Sequence, residues 1–373
     1  MRETGIYQTL GNLTYFIPHP LPPANPPLVL TAEILSLYGE ASFALGQLNE
    51  MSTRLPDPRY FVKAYVIKEA LLSSAIEGIH TTMIDVFTQP IGDSKPSKET
   101  QLVLNYTKAL DVALSMLQDA EARLTAHVIL RAHEALLSGA GEDRIMPGHF
   151  REHPVQVGGL IPPPTTEISK LMGDLEQYMN EHSYIPPLIR AGLAHIQFET
   201  IHPFLDGNGR IGRLLIVLML MNDGILKLPI LYPSYYFKKY HFEYYQLLDR
   251  VRTHGDFEGW IVYYLEAIRD SAIDAHTRAK EIEGLEVRLK DMIQNDPSLT
   301  KIKDITAVAI NFLCTQPITR ATEMSQKLGK SYNTVRKVLD VFIKHGLVSE
   351  VTTYKRNKLY RFDAYLTLLE REY

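Results

Sequence analysis

The distribution of hydrophobic and polar positions predicts a mainly α-helical chain. Between residues 30 and 120 apolar residues recur at helical spacing, with a polar loop near residues 89–97. Residues 121–270 contain several further helical segments. Six of the first 28 residues are prolines, which disfavour a helix, so this arm is predicted to be extended.

The last part of the chain has its own pattern, which predicts a separate module. Gly329 and the good N-cap residue Ser331 separate two of its helical segments. Three helices followed by two strands are typical of a winged helix-turn-helix, with Tyr354-Lys-Arg-Asn357 as the wing. The predicted elements are helices at 303–314, 319–328 and 331–344 and strands at 347–352 and 358–362.

This pattern divides the chain into four parts. We expect an extended arm and helical region at 1–120, a helical core at 121–275, a helical linker at 276–300 and the winged helix-turn-helix domain at 301–373. The charged segment Glu281–Lys290 and the Asn295-Asp-Pro-Ser sequence mark the linker and its end.

Charge is distributed unevenly between body and tail. The net charge is -4, yet residues 301–373 carry thirteen Lys and Arg against seven Asp and Glu, so the tail is +6 and the rest is -10. A tail that binds DNA would insert its third helix into the major groove. Docking of a protein is equally compatible with this charge. The groove-facing and phosphate-facing candidates are Lys330, Tyr332, Asn333, Arg336, Lys337, Lys355 and Arg356.

Composition excludes several classes of protein. The single cysteine, Cys314, allows neither an intramolecular disulfide nor a cysteine-based zinc site. The longest apolar run, Leu214–Met221, has eight residues, whereas a membrane span needs about 20. The first residues lack the apolar core of a secretory signal. We therefore expect a cytoplasmic protein with no membrane partner.

The candidate chemistry is concentrated between His202 and Arg213. The His202 imidazole can take a proton near neutral pH, and Asp206 is a hard oxygen ligand suited to Mg2+. Gly207-Asn208-Gly209 can bring backbone N–H groups close to phosphate oxygens. Arg210 and Arg213 carry planar guanidinium groups that match phosphate geometry.

The apolar residues after these glycines predict a helix that begins at the glycines. A helix N-terminus is itself an anion site, because its first N–H groups have no intrahelical acceptor. Each element alone would be compatible with a solvated loop before a buried helix. The combined spacing favours a site for a nucleotide triphosphate.

This segment resembles the signature of the Fic family, His-x-Phe-x-(Asp/Glu)-Gly-Asn-Gly-Arg-x-x-Arg, with every defining position filled, Phe204 included. The resemblance implies a Fic-type helical core and transfer of AMP from ATP to a protein hydroxyl. It implies that His202 is the base and that Asp206 holds Mg2+ between the α- and β-phosphates. It further implies that Gly207, Asn208 and Gly209 line the anion hole, that Arg210 supports the phosphates and that Arg213 binds the γ-phosphate.

A second motif, Ser73-Ser-Ala-Ile-Glu77-Gly78, lies far upstream. Tyr65–Ile76 is predicted to be a helix that stops at Gly78. Taken alone, the motif would be a helix end with an exposed glutamate. Ser73, Glu77 and Gly78 resemble the inhibitory motif of the N-terminally self-inhibited Fic class. Pairing of Glu77 with Arg213 would then occupy the guanidinium meant for the γ-phosphate.

Two further segments are assigned through the same resemblance. Val155 and Val157 alternate with polar residues before a Gly158-Gly159 turn, which predicts a short β-hairpin. An ordinary surface hairpin is the alternative to a Fic flap, in which Val157, Gly158, Gly159 and Leu160 would touch nucleotide or target. Tyr244 or Tyr245 is the aromatic candidate for the adenine, although most tyrosines in this cluster are expected to be core or interface rings.

The sequence therefore favours a protein adenylyltransferase that transfers AMP to a Ser, Thr or Tyr hydroxyl of a protein target, with ATP as substrate and Mg2+ as cofactor. One alternative is a DNA-binding regulator whose nucleotide site senses a ligand without transfer. Another is a different phosphoryl-linked transfer, or AMP removal, on the same fold. A homo-oligomer is left open.

Overall fold

The structure, a computed structural model, describes eight stretches of the chain. Within them the chain is mainly helical, as the hydrophobic pattern predicts, with two small antiparallel sheets. No helix in these stretches combines the length and apolarity that a bilayer span requires. The described residues are 2–54, 58–91, 95–118, 122–139, 146–181, 184–300, 302–351 and 358–371.

The N-terminal arm contains a hairpin and the following region is helical. A 3-10 turn, Gln89–Ile91, and the N-cap Ser97 bound the predicted loop near residues 89–97. The elements up to the core are β1 (Gly5–Leu10), β2 (Leu13–Pro18), α1 (Ala32–Arg54), α2 (Pro58–Ile76), α3 (Met83–Thr88), α4 (Lys98–Met116), α5 (Ala126–Leu137) and α6 (Thr165–Asn180).

The centre of the molecule is a helical hairpin surrounded by other helices. Almost every residue of its two helices is buried, which explains why both are apolar around most of their circumference. The central helices are α7 (Pro187–Ile201) and α8 (Asn208–Asn222), and they are followed by α9 (Ser234–Lys239), α10 (His241–His254) and α11 (Phe257–Asn295).

Helix α11 packs closely on α7. The indole N–H of Trp260 donates to the carbonyl oxygen of Gly192 at 2.8 Å, and both groups are buried. A Cβ at position 192 would lie 2.6 Å from the Tyr264 ring, so only glycine permits this approach. The helix is continuous for 39 residues, so the expected division between core and linker at residue 275 falls inside one helix.

The C-terminal module has the three helices that the sequence predicts, and two details differ. Residues Ile318–Arg320 form a strand, so the second helix begins at Ala321 and not at Thr319. A final helix follows the three-stranded sheet, in which the last strand along the chain, Leu359–Arg361, lies between the other two. The elements are a 3-10 turn (Pro297–Leu299), α12 (Lys303–Thr315), β3 (Ile318–Arg320), α13 (Ala321–Leu328), α14 (Tyr332–Lys344), β4 (Ser349–Glu350), β5 (Leu359–Arg361) and α15 (Asp363–Glu370).

The assignment of this module as a winged helix-turn-helix stays a prediction, and its wing at 354–357 lies outside the described residues. Ser331 caps α14 by accepting a hydrogen bond from the N–H of Thr334 at 3.2 Å, as expected. Arg336 does not project freely, because its guanidinium donates to Asp340 and Glu350. Two carboxylates beside Arg336 reduce the positive potential that a phosphate backbone would require.

Helix α2 joins the tail to the core. The Lys68 ammonium donates to the carbonyl oxygens of Leu369 and Arg371 at 3.1 and 3.3 Å, at the end of α15. The carbonyl of Arg371 also accepts a hydrogen bond from another helix, since Arg278 of α11 donates to it at 2.6 Å. The hydroxyl of Tyr65 donates to the carbonyl of Ala275 at 2.8 Å. Helix α2 therefore has partners in both the tail and the core.

The N-terminal arm is fixed to the body through Arg2. Its guanidinium binds both carboxylate oxygens of Glu258 at 2.8 Å and donates to the carbonyls of Gly255, Pro26 and Pro27. The side chain is almost fully buried, with an exposed fraction of 6%. A buried, bidentate arginine of this kind is strongly coupled to its partners.

Replacement of Arg2 should destabilise the protein. We expect Arg2→Ala to lower the free energy of unfolding by roughly 2–3 kcal/mol, because it removes the cationic partner of Glu258, which keeps only the N–H of Val29, and the donor of three carbonyls. Urea denaturation measures this value. The control Arg131→Ala breaks an exposed pair with Glu134 and should cost at most about 0.5 kcal/mol. Equal effects of the two changes would contradict the anchoring role of Arg2.

Candidate active site

The candidate site begins where α7 ends at His202. This residue has φ 50° and ψ 60°, and its N–H donates to the carbonyl of Phe198 at 2.9 Å. Within the described chain it is the only residue other than glycine with a positive φ. A side chain larger than that of Asn or Asp is uncommon in this left-handed region, and such residues occur often at functional sites.

The loop from Phe204 to Asn208 is held by the side chain of Asn208. Its amide nitrogen donates to the carbonyl of Phe204 at 2.8 Å, and its amide oxygen accepts from the N–H of Phe204 at 2.9 Å. Both residues are buried. The Asn208 side chain thus holds the loop together, and the backbone N–H of Asn208 is left to contact an anion.

His133, which sequence reasoning missed, supports this loop from α5. Its ring stacks on Phe204 with centroids 3.6 Å apart. The N–H of Gly148 donates to Nδ1 at 3.0 Å, so Nε2 carries the proton and donates to the carbonyl of Asp206 at 3.0 Å. Burial lowers the pKa of His133 to about 4, which keeps this tautomer neutral at pH 7. No sequence motif near His133 indicates this role.

Helix α8 starts directly after the loop. Gly207 is its N-cap with φ 81°, a conformation that favours glycine. For the backbone N–H groups of Asn208, Gly209 and Arg210, the part of the chain that the structure describes provides no acceptor. Such unsatisfied groups and the helix dipole make the first turn of α8 an anion-binding site.

The Arg210 guanidinium reinforces this site. Its side chain is 2% exposed, and within the described residues its Nε and Nη1 atoms have no hydrogen-bond partner. Its contacts to the Asp206 carboxylate are long, at 3.3 and 3.4 Å. A buried cation with unused donors is costly unless an anion binds it. Burial lowers the pKa of Arg210 from its ordinary value, with Asp206 acting in the opposite direction.

Arg213, one turn further along α8, binds the end of α2 and the residue that follows it. Its Nε donates to the hydroxyl of Ser73 at 2.9 Å, and its Nη2 donates to the Ser73 carbonyl and to Oε1 of Glu77, both at 2.8 Å. Burial alone would lower the pKa of Arg213, yet Glu77, Tyr244 and Glu199 together raise it. The pairing expected between Glu77 and Arg213 is therefore present.

The Glu77 carboxylate lies against the first turn of α8. A Cβ on Gly209 would come within 2.2 Å of Glu77 Oε1, so the absence of a side chain at Gly209 admits this oxygen. Gly78, with φ 76°, follows the end of α2 and leaves Glu77 at that end. The carboxylate thus lies beside both Arg213 and the free N–H groups of α8, where an anionic ligand would bind.

Two further carboxyl groups surround Arg213, and neither was expected from the sequence. Burial raises the pKa of Glu199 to about 7, although Arg213 lowers it. Burial also raises the pKa of Glu69 to about 7, although hydrogen bonds from Ser234 and the charge of Arg213 lower it. Both lie in the interior, on α7 and α2, so only packing of these helices on α8 brings them to Arg213.

The His202 side chain is partly buried beside cationic groups. Burial is the main reason that the pKa of His202 is lowered to about 4, and Arg252 and Arg151 act in the same direction. Arg252 donates to the carbonyl of Glu199 at 2.9 Å near the end of α7. The imidazole is consequently unprotonated at pH 7 and able to accept a proton.

Arg151 connects His202 to the predicted flap. Its Nε donates to the carbonyl of His202 at 2.8 Å and its Nη2 to the carbonyl of Pro163 at 2.6 Å. The expected hairpin is shorter than predicted: Val157 and Leu160 exchange two backbone hydrogen bonds around Gly158-Gly159, and no regular strand includes Val155. The prolines at 162–164 remove the donors that a longer ladder would use.

The two tyrosine candidates occupy different environments. Tyr244 is buried, its hydroxyl lies 2.8 Å from Nε2 of His195, and its ring packs on Phe237 and Trp260. Tyr245 has a 46% exposed side chain, and the Glu77 carboxylate contributes to its raised pKa of about 12, for which burial is the main cause. Of the pair, Tyr245 alone offers an accessible ring near Glu77.

Asp206 has the features that a shared magnesium site requires. Its carboxylate is half exposed, and only one oxygen accepts a short hydrogen bond, from the N–H of Gly207 at 2.6 Å. Among the described residues there is no cluster of three or more His, Cys, Asp or Glu side chains. Magnesium commonly binds one carboxylate together with substrate phosphates and water, so this donor set fits the ion.

A helix N-terminus and two arginines are typical of sites that accept phosphate, and here the Glu77 carboxylate, directly after α2, lies between them. Comparison with known proteins agrees with this class. Residues 123–220 match the Fic/DOC family, and residues 35–115 match the Fic/DOC family N-terminal region. The two segments contain the His202–Arg213 signature and the Ser73–Gly78 motif, respectively. These two segments of the chain are similar to the Fic/DOC family.

Relatives with assigned activities are similar over part of their length. The chain is 33% identical over 177 residues to a protein adenylyltransferase Fic of Drosophila ananassae, which covers 43% of this chain and 34% of that protein. It is 32% identical over 216 residues to the Drosophila melanogaster protein of the same name, covering 56% and 42%. The chain thus spans about two fifths of the length of these relatives.

Solved structures support the fold. A Fic family protein from Desulfovibrio desulfuricans covers 90% of this chain and 98% of its own, with a TM-score of 0.57 and 24% identity. Fic-1 of C. elegans covers 68% of this chain and 72% of its own, with a TM-score of 0.51 and 21% identity. At these identities the likeness establishes the fold alone.

The protonation state of His202 can be measured directly. We expect His202 to titrate near pH 4, below its ordinary value of 6.5, because burial and two arginines disfavour the imidazolium. Between these two values the imidazole is protonated in the unfolded chain and neutral in the folded chain. The free energy of unfolding should therefore decrease as the pH falls from 6.5 towards 4. Nuclear magnetic resonance of isotope-labelled histidines measures the midpoint of this titration, and the His202→Ala variant identifies the His202 signal. A midpoint above pH 6 would contradict this electrostatic environment.

Proposed function

We propose that this protein is a protein adenylyltransferase that transfers AMP from ATP to a hydroxyl of a protein target and is inhibited by its own Glu77. The observation that carries the proposal is the first turn of α8, where unsatisfied N–H groups and the unused donors of the buried Arg210 converge on a position bordered by Glu77. Relatives named protein adenylyltransferase Fic support the reaction type.

In the proposed reaction the oxygen of the target hydroxyl attacks the α-phosphorus of ATP. A bond forms between that oxygen and phosphorus, the bond to the β-phosphate breaks, and pyrophosphate leaves. His202 accepts the hydroxyl proton, since its imidazole is neutral at pH 7. The backbone N–H groups of Gly209 and Arg210 stabilise charge that develops on the phosphate oxygens.

Asp206 would hold Mg2+ together with the phosphates, and the bound ion would neutralise part of the charge that develops on them. The loop that carries Asp206 is held rigidly by Asn208 and His133, which fixes the carboxylate relative to α8. Positioning and neutralisation of charge account for most of phosphoryl-type catalysis. The side chains that fix this loop therefore contribute indirectly.

Inhibition follows from competition between carboxylate and phosphate. While Glu77 binds Arg213, the γ-phosphate of ATP meets a carboxylate at the place where it needs a cation. The triphosphate would then bind in a shifted position, and the α-phosphorus would not be aligned for in-line attack. Release of Glu77 frees one N–H of Arg213 Nη2, while Nε and the other N–H of Nη2 remain bound to Ser73.

Removal of the Glu77 carboxylate should activate the protein. We expect Glu77→Gly to increase automodification with ATP and Mg2+ at least about tenfold, equivalent to about 1.4 kcal/mol or more. Intact mass spectrometry distinguishes addition of AMP from addition of phosphate. His202→Ala, alone and combined with Glu77→Gly, is the matched control and should show no modification. Equal labelling of the wild type and Glu77→Gly would refute the inhibition.

The role of Asp206 can be tested by binding. In the His202→Ala, Glu77→Gly background, which cannot turn over, we expect Mg2+ to increase ATP affinity and Asp206→Asn to remove most of that increase. Isothermal titration calorimetry with and without Mg2+ measures it. The control Glu243→Gln changes an exposed carboxylate on α10 and should keep the Mg2+ effect. Retention of the effect in Asp206→Asn would exclude Asp206 as the ligand.

A further inference from the structure

Strand β1 of the N-terminal arm has an open edge. In the described chain it pairs with β2 alone, and β2 packs its buried Tyr15 and Phe16 against the body. The exposed side-chain fractions of Ile6, Tyr7 and Leu10 are 49%, 62% and 45%. An outer strand with exposed apolar side chains is a ready template for another strand.

The register determines which backbone groups β1 presents at this edge. The N–H of Phe16 donates to the carbonyl of Ile161 at 2.9 Å, so at Phe16 the backbone polar groups point away from β1. Phe16 pairs with Tyr7, and directly opposite residues in such a pair both direct these groups outwards. Tyr7 and, by alternation, its neighbours Gly5 and Thr9 therefore direct their N–H and carbonyl groups to the open edge.

A second hydrogen bond agrees with this alternation. The N–H of His19 donates to the carbonyl of Thr4 at 2.8 Å, so Thr4 directs its carbonyl inwards and Gly5 directs its own outwards. The hairpin turn Gly11-Asn12 has a positive φ at Gly11, which suits a two-residue connection. The register from Gly5 to Leu10 is consequently continuous, with no bulge.

This edge lacks the features that usually prevent pairing of exposed strands. The segment Gly5-Ile-Tyr-Gln-Thr-Leu10 contains no charged residue and no proline. Natural edge strands commonly carry lysine, proline or a bulge. The arm is also held in place, because Arg2 binds Glu258 and Phe16 binds Ile161. An ordered, neutral and unprotected edge favours a specific partner strand.

We propose that β1 is an interface between two copies of this chain, paired antiparallel about a two-fold axis at Tyr7. The outward-facing residues are symmetric about that position: Tyr7 meets Tyr7 of the second copy, and Gly5 meets Thr9. Every outward backbone group of the strand then finds a partner in an identical strand. The neutral edge places no like charges opposite each other, which is the usual obstacle to self-pairing.

The expected dimer is weak. One pair of six-residue strands with three exposed apolar side chains on each copy buries less area than a standard interface. We therefore expect a monomer–dimer equilibrium with a dissociation constant in the micromolar range. The proposal is independent of the adenylyltransferase reaction, since it concerns only the arm.

Sedimentation equilibrium of the full chain tests the proposal. The wild type should shift from monomer to dimer with concentration, and Tyr7→Lys should raise the dissociation constant at least tenfold, because it places two ammonium groups opposite each other on the axis. The control Phe43→Lys alters a side chain that is 68% exposed on α1 and should leave the equilibrium unchanged. A wild type that stays monomeric at all concentrations overturns the proposal, as does a dimer that Tyr7→Lys does not weaken.

Crosslinking tests the register without relying on affinity. In the proposed pair the Cα atoms of the two Tyr7 residues lie about 5.5 Å apart, which a disulfide can bridge. Oxidised Tyr7→Cys should yield covalent dimer. Ile6→Cys is the matched control, since its two Cα atoms would lie roughly 8 Å apart. The native Cys314 is buried and should not react. Equal crosslinking of the two variants would overturn the Tyr7-centred register.

Discussion

The buried guanidinium of Arg213 is the group on which the organisation of the site depends. It lies on the central helix α8, yet its hydrogen bonds go to Ser73 of α2 and to Glu77 directly after α2, 140 and 136 positions earlier in the chain. A buried cation must be compensated, and here the compensation comes from another helix. Because the same guanidinium is the predicted ligand of a γ-phosphate, the contact that stabilises the resting structure also obstructs the site.

Three parts of the structure surround this guanidinium. The first turn of α8 offers free N–H groups and the unused donors of Arg210 to an anion. Behind α8, Glu199 and Glu69 contribute carboxyl groups whose pKa values burial has raised to about 7. In front of α8, the Phe204–Asn208 loop is fixed by hydrogen bonds and by His133. In the proposed reaction these fixed groups bind the phosphates, and Glu77, which follows the end of α2, has to move away from Arg213.

Helix α2 also contacts the tail, so the helix whose end binds Arg213 has a second set of partners. Lys68 binds the last carbonyls of α15, while Ser73 and Glu77, on the following turns, bind Arg213. The N-terminal arm is attached elsewhere, through Arg2 and Phe16, and meets the segment that follows the Val157–Leu160 turn. Core, tail and arm are therefore joined through a small number of buried polar contacts.

The sequence by itself determined the helical class, the start of α8 at its glycines, the Ser331 cap and the residue types of both motifs, because these depend on local spacing and backbone preference. It predicted Glu77 opposite Arg213 only through a family resemblance. The packing of α2 on α8 decided that contact, and likewise the roles of His133, Glu199 and Arg252, the burial of Tyr244 and the short turn at Val157–Leu160. Burial and neighbouring charge are properties of distant segments brought together, so no local pattern encodes the lowered pKa of His202 or the unused donors of Arg210.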